Sequence, residues 1–508
     1  MNFKTRRINK EEPKPSKPIL PPNPLKKKNI HMHMGVFGSF IIIILLFIGI
    51  AKAIGSIDFK VFLELAGDKL QTDAYNHTNL LILGTGGGDH EGADLTDTII
   101  VASLDKQNKL ISMVSIPRDF YIKDDMVGNS KINEIYYNAK QYYGSSAEGL
   151  DHMKGKVETM MGIPIHYWIK IDFKGFKELV DAIGGVDINV ETAIYDPYYP
   201  KDGTFEYETF SISPGQHHMN GETALKYARS RKTTSDFDRA DRQQAIIYGL
   251  KEKALQTEII FSKDKISKIL ETLKENIETN ISVKEILTLG AMAGDFSKEN
   301  ITHRLIHDDP TQCGGFLYTP GREFYNNLFV LLPAGGVEFI HQYSDLNFNL
   351  PKIAKETTKI QVLNGTKNGG VAGETKQILQ RFCFDITRFG NGRSKDIAET
   401  TYYYQAGPEG ENSRPEALDF IEKLIPGKES TQIPQEYLDA GYLQNSNLII
   451  ELGANYVNSG KYMNDPFYSL PQLATPTLAT PTPATPTPAT PEAPATTEAP
   501  TETNNENQ

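Results

Sequence analysis

IPIHYWIKIDFKGFKELVDAIGGVDINV, Ile163 to Val190, is the stretch that decides the fold class. Ile165, Tyr167, Ile169 and Ile171 alternate with His166, Trp168, Lys170 and Asp172, the period of a half-buried strand. Asp172 can then cap a helix whose buried face carries Phe173, Phe176, Leu179, Val180 and Ile183. Gly184-Gly185 ends that helix, and Val186–Val190 reads as another strand. Strand, helix, strand in this rhythm predicts an α/β domain.

Toward the N-terminus, Leu80–Leu83, Thr98–Ala102 and Leu110–Ser115 are short apolar runs rich in β-branched residues, and read as further strands. Toward the C-terminus, residues 237–257 and 265–290 read as helices. The first domain is therefore placed at 79–340, after a stalk at 56–78 and before a linker at 341–357. A second, small α/β domain is placed at 358–458. It has a strand and turn in KIQVLNGT (Lys359–Thr366), amphipathic helices in GVAGETKQILQRF (Gly370–Phe382) and ENSRPEALDFIEKLI (Glu411–Ile425), and a closing strand in SNLIIELG (Ser446–Gly453). Residues 459–508 form a tail that becomes Pro/Thr/Ala low complexity, with no apolar period to support a core.

The N-terminus bears on location. Residues 1–34 hold nine Lys/Arg and two Glu, and read as a basic cytoplasmic tail. Gly35–Gly55 is apolar or small apart from Lys52, long enough for a single transmembrane anchor. Everything after it is then extracytoplasmic. Ala51-Lys52-Ala53 has the form of a signal-cleavage site, but the long leader and long apolar run favour an uncleaved anchor. The net charge of −11 argues against nucleic acid as a partner. Cys313 and Cys383 have no zinc spacing, and read as two separate buried thiols in preference to a pair.

Three clusters carry candidate chemistry. LLILGTGGGDHEGADLTDT, Leu80–Thr98, runs from a strand into a glycine-rich loop. A dinucleotide fingerprint fails there, because its third glycine position is Asp89, whose carboxylate would repel a pyrophosphate. Asp89, Asp94 and Asp97 suit a hard cation such as Mg²⁺, which takes one or two carboxylates plus phosphate oxygens. SIPRDFY, Ser115–Tyr121, places Arg118 and Asp119 at a strand end, where α/β domains bind ligands. In YARSRKTTSDFDRADRQQ, Arg229, Arg231, Arg239 and Arg242 fall within fourteen residues. Arg229 and Arg231 share a face if extended, and Arg239 and Arg242 sit three apart near a helix start capped by Ser235 or Asp236. Cations at that end of a helix imply an anion, and the arginine fork grips phosphate at two points. The bland readings are a solvated acidic loop, a surface Arg118–Asp119 pair, and arginines paired with Asp236, Asp238 and Asp241.

These clusters, in this order after one anchor helix, resemble the LytR-CpsA-Psr (LCP) family. LTDTIIVASLD, SIPRDFY, KINEIYY (Lys131–Tyr137), Ile163–Val190 and PGQHHMNGETALKYARSRKTTSDFDRADRQQ (Pro214–Gln244) carry the likeness over about residues 78–300. Residues 358–457 likewise resemble the LytR-type C-terminal domain. The resemblance implies a central β-sheet flanked by helices, and an extracytoplasmic, Mg²⁺-dependent phosphotransferase with a pyrophosphatase side reaction. Such an enzyme moves a glycopolymer from a polyprenyl-pyrophosphate carrier to a peptidoglycan hydroxyl. Carried over by motif, Asp97 is a metal ligand, and Arg118, Arg229, Arg231, Arg239, Arg242 and Gln243 bind phosphate. Arg118 and Arg231 are also assigned to the catalytic set. Asp236 is the candidate base, with Asp119 as runner-up. Two positions depart from the family: its RSD arginine is Leu95 here, and its first metal aspartate meets Gly86 or Gly87, leaving Asp89 or Asp94 to replace it. The competing reading is an inactive binder of polyprenyl phosphate or anionic wall polymer.

Overall fold

The computed structural model describes residues 69–88, 92–200, 206–230, 242, 245–246, 249–250, 253, 277–292, 296–356, 358–405, 407, 414–461, 467 and 470. The expected anchor at 35–55 and the low-complexity tail lie outside them. Among the described residues no helix is long and apolar enough to cross a membrane.

The expected strands form: β1 (His77–Thr85), β2 (Thr96–Asp105) and β3 (Leu110–Ser115) cover their apolar runs, and β4 (Tyr167–Asp172) begins two residues after the start of its alternation at Ile165. With β5 (Ile277–Thr279) and β6 (Ile301–Leu305) they make a mixed six-stranded sheet in the order β5-β4-β1-β2-β3-β6. β1 is antiparallel to β2 and parallel to β4. Strand alternation sends Leu81, Leu83, Ile99 and Val101 to one face, against α1 (Ile132–Tyr143) and α2 (Ser146–Met161). Leu80, Ile82, Ile100 and Ala102 go to the other, against α3 (Phe173–Ala182) and α4 (Gly221–Arg229). Asp172 caps α3 as its position requires, with Oδ1 accepting the Gly175 N–H at 2.7 Å.

The structure refines three of the expectations. Val186–Val190 is a strand as expected, and it lies outside the central sheet, paired antiparallel with Gly215–Met219. Of the helix expected at 265–290, residues 265–276 lie outside the described residues; Ile277–Thr279 is instead an edge strand paired with β4, and Val283–Met292 is a helix. Ile286, Leu289 and Met292 of that helix lie in the core. The expected linker carries regular structure. α5 (Glu338–Ser344), a π-helical turn (Asp345–Asn349) and a short helix (Pro351–Lys355) bury Leu346, Phe348 and Ile353.

The second domain is a five-stranded sheet built from β7 (Lys359–Asn364), β8 (Asp385–Asn391), β9 (Thr401–Tyr403), β10 (Lys428–Ser430) and β11 (Leu448–Leu452), in the order β8-β7-β11-β9-β10. Its helices α6 (Val371–Arg381) and α7 (Leu418–Leu424) pack toward the first domain through one shared core. Phe316 meets Phe382 at 5.1 Å and Phe382 meets Phe420 at 5.2 Å between ring centroids. Beside that stack Cys313 and Cys383 are disulfide-bonded, correcting the reading of two separate thiols.

Candidate functional site

The sheet topology brings the chemistry to one end. β1 and β4 run parallel and finish there, and antiparallel β2 starts there, so Asp97 sits beside the β1 glycine-rich turn. β3 finishes at the same end and leads into Pro117, Arg118 and Asp119. The turn after β1 is held tightly. Gly87 has φ +67, and a Cβ on it would fall 2.6 Å from the Asp172 carboxylate, so only glycine fits. The chain then returns as an antiparallel strand. A dinucleotide loop needs a helix N-terminus at that point, and none follows.

Arg118 donates from Nη1 to Asp97 Oδ1 at 3.1 Å and lies 3.6 Å from Asp119 through Nε. Burial works against its charge, but the two carboxylates outweigh burial and raise its pKa above the ordinary arginine value. Lys131 Nζ binds Asp119 Oδ1 at 2.7 Å. Asp97 is 47% exposed at the side chain, and its Oδ2 makes no hydrogen bond among the described residues. Asn133, in the first turn of α1, donates from Nδ2 to Asp97 Oδ1 at 3.3 Å. Its own Oδ1 is buried and has no partner.

Arg229 is the last residue of α4 and not part of an extended segment, so the shared-face geometry expected with Arg231 does not arise that way. Its guanidinium stacks 4.1 Å from the Phe173 ring centroid and donates to Tyr199 Oη at 3.1 Å. Phe173 follows Asp172, so Arg229 stands at the same sheet end. Arg242 turns inward instead. It is buried, and it donates to the carbonyl oxygens of Tyr227, at 3.0 Å, and Ser230. That ties the end of α4 to the following helical residues. Asp94 is bound by Lys140 Nζ at 2.7 Å. Asp89, Arg231, Asp236, Arg239 and Gln243 lie outside the described residues.

Sequence reasoning passed over Asn133, Phe173 and Tyr199. Asn133 had a visible signal: an amide three residues before Tyr136, on the face that Ile132, Ile135 and Ala139 make apolar. Tyr199 had none, because its contact with Arg229 spans thirty residues.

Among the described residues no three His, Cys, Asp or Glu side chains gather to hold a metal. Mg²⁺ does not need them, since it is held by one or two carboxylates with phosphate and water completing the shell. An open carboxylate oxygen on Asp97, beside a buried amide oxygen without a donor, fits such an ion and its hydration shell.

The described residues thus show a mixed-sheet α/β domain with Asp97, Arg118 and Arg229 at one sheet end. The chain belongs to the LytR_cpsA_psr family, whose model matches residues 60–324, more than half of it. The model described as LytR cell envelope-related transcriptional attenuator matches residues 357–456. The chain is 36% identical over 211 residues to the polyisoprenyl-teichoic acid–peptidoglycan teichoic acid transferase TagV of Bacillus subtilis (strain 168), covering 41% of this chain and 50% of TagV. It therefore spans about half the length of that relative. It is 28% identical over 249 residues to the TagU transferase of the same description from Bacillus licheniformis, covering 48% of this chain and 74% of TagU. The crystal structure of B. subtilis TagV aligns with 29% identity and a TM-score of 0.40, over 54% of this chain and 97% of that one.

Proposed function

We propose that this chain is an extracytoplasmic phosphotransferase that moves a glycopolymer from a polyprenyl-pyrophosphate carrier onto a peptidoglycan hydroxyl. The observation that carries the proposal is the Asp97–Arg118 pair at the sheet end that also holds Arg229. Two relatives are named as transferases between polyisoprenyl-teichoic acid and peptidoglycan, which supports the reading. The Cys313–Cys383 disulfide suits an oxidising compartment outside the cytoplasm, as does the basic leader followed by an apolar run.

The roles follow from charge. Cleaving a pyrophosphate requires negative charge to be neutralised on both phosphates. Arg118 and Arg229, with Arg231, Arg239 and Gln243, grip phosphate oxygens. Asp97 would hold Mg²⁺, which when bound supplies Lewis-acid neutralisation of the phosphates. Asp236 is the proposed base for the acceptor hydroxyl. Asp119 suits that role less, because Lys131 and Arg118 both engage it. Arg242 is assigned a structural task, since its Nε and Nη2 serve backbone carbonyls.

A second reading, an inactive binder of polyprenyl phosphate or anionic wall polymer, is favoured by one observation: Asp94 is occupied by Lys140 and so offers no second metal ligand. Binding of a short-chain polyprenyl pyrophosphate to the full chain tests the phosphate site. Arg118→Ala is expected to weaken it at least tenfold, the scale of a charge-assisted hydrogen bond. Unchanged affinity would reduce Arg118 to a surface ion pair.

A further inference from the structure

Asn133 is tied to both segments that make the site. Its backbone N–H donates to the Arg118 carbonyl at 3.3 Å, and its own carbonyl accepts Thr96 Oγ1 at 3.2 Å. The side chain is only 6% exposed. One half of its amide is used, Nδ2 to Asp97 Oδ1, and the other half is a buried acceptor without a donor. An orphaned buried acceptor destabilises a fold, and an apolar side chain of similar size would remove that cost. What the asparagine supplies in return is a second donor on Asp97.

Arg118 and Asn133 share the same oxygen, Oδ1. Only Arg118 carries charge and has chemistry to perform elsewhere. When its guanidinium turns to a phosphate, an exposed aspartate held by it alone would lose its orientation. Held also from below by a buried amide, Asp97 keeps Oδ2 turned outward. We propose that Asn133 is a positioning residue: it fixes Asp97 for a divalent cation, so that Arg118 can pass from carboxylate to phosphate without disturbing the ligand. The proposal rests on the reading of Asp97 as a cation ligand.

The test is direct binding of Mn²⁺ to the full chain, followed by its electron paramagnetic resonance signal, with the thermal midpoint measured alongside. Asn133→Leu is expected to weaken Mn²⁺ binding about tenfold, as loss of a hydrogen bond to a charged group should. The midpoint should stay level or rise, because the orphaned acceptor is gone. A merely structural asparagine gives the reverse pattern, a lower midpoint with unchanged Mn²⁺ affinity, and that result overturns the proposal. If the leucine does not fit, Asn133→Ala removes the same donor without crowding and is read in the same way. Asp97→Asn separates the two levels. Mn²⁺ binding lost in Asp97→Asn but kept in Asn133→Leu defeats the role of Asn133 alone. Binding kept in Asp97→Asn defeats the cation reading and the proposal with it.

Discussion

The two domains each place a carboxylate near the end of a central strand, and treat it in opposite ways. In the second domain Glu451 on β11 is fully buried and well supplied: Tyr437 donates to Oε1 at 2.5 Å, Tyr403 to Oε2 at 3.2 Å, and Arg393 Nε to Oε2 at 3.3 Å. In the first domain Asp97 on β2 is nearly half exposed, its two donors crowd one oxygen, and the neighbouring amide is left with an unmet acceptor. A buried carboxylate with a full set of donors is a structural element. A carboxylate with an open oxygen beside an orphaned acceptor is, on the function proposed above, a ligand for a cation. Asp124 shows that satisfaction matters here and the domain does not. It lies in the first domain, is buried, and accepts from His152, Lys156 and the backbone of Met126 and Val127.

The two domains share one core and are joined across it by a disulfide. Cys313 and Cys383 close a loop with a sequence separation of 70. Loop-closure entropy assigns such a bridge about 4 kcal/mol. Cys313→Ser is expected to lower unfolding free energy by that order, or to separate one denaturation transition into two. An unchanged single transition would show that the Phe316, Phe382 and Phe420 stack holds the junction without it. Next in size, Glu451→Ala should cost about 3 kcal/mol, since it strands two tyrosine hydroxyls and a guanidinium. Cation and phosphate binding should stay intact. Loss of either would place Glu451 in the functional network and break the contrast with Asp97.

The smallest effect is pH-dependent. Burial pushes the Asp124 pKa upward, but donors from His152, Met126, Lys156 and Val127 outweigh burial and lower it to about 2 from 3.8. A depressed carboxylate pKa stabilises the fold above its unfolded value, and the contribution is lost as pH falls from about 4 to about 2. Asp124→Asn is therefore expected to cost about 2 kcal/mol at neutral pH, with the difference from wild type closing toward pH 2. Denaturant titrations at both pH values check the sign. A difference that widens in acid would mean that the donors serve another group.

Local signals in the sequence were enough for the first half of the fold. The alternation in Ile165–Ile171, the Asp172 cap and the paired glycines are all set by near neighbours, and they stand where the sequence puts them. Pairing across distance was not legible. Nothing in Val186–Val190 says that Gly215–Met219 will draw it out of the main sheet. Periodicity could not show that Leu346, Phe348 and Ile353 would be buried, or that two cysteines far apart would meet. The site divides in the same way. SIPRDFY marks Arg118 at a strand end, where ligands bind, and the acid-rich loop marks Asp97 as a carboxylate suited to a hard cation. The inward turn of Arg242 and the capture of Asp94 by Lys140 depend on partners that spacing does not reveal.

The most direct test of the central claim is to offer the full chain a short polyprenyl-pyrophosphate glycan and peptidoglycan fragments, with and without Mg²⁺, beside Asp97→Ala. The expected result is Mg²⁺-dependent cleavage of the pyrophosphate with transfer to the fragments, reduced at least a hundredfold in the variant. Turnover that is indifferent to both Mg²⁺ and Asp97 would contradict the assignment of the open carboxylate, and tight binding without turnover would favour the inactive binder.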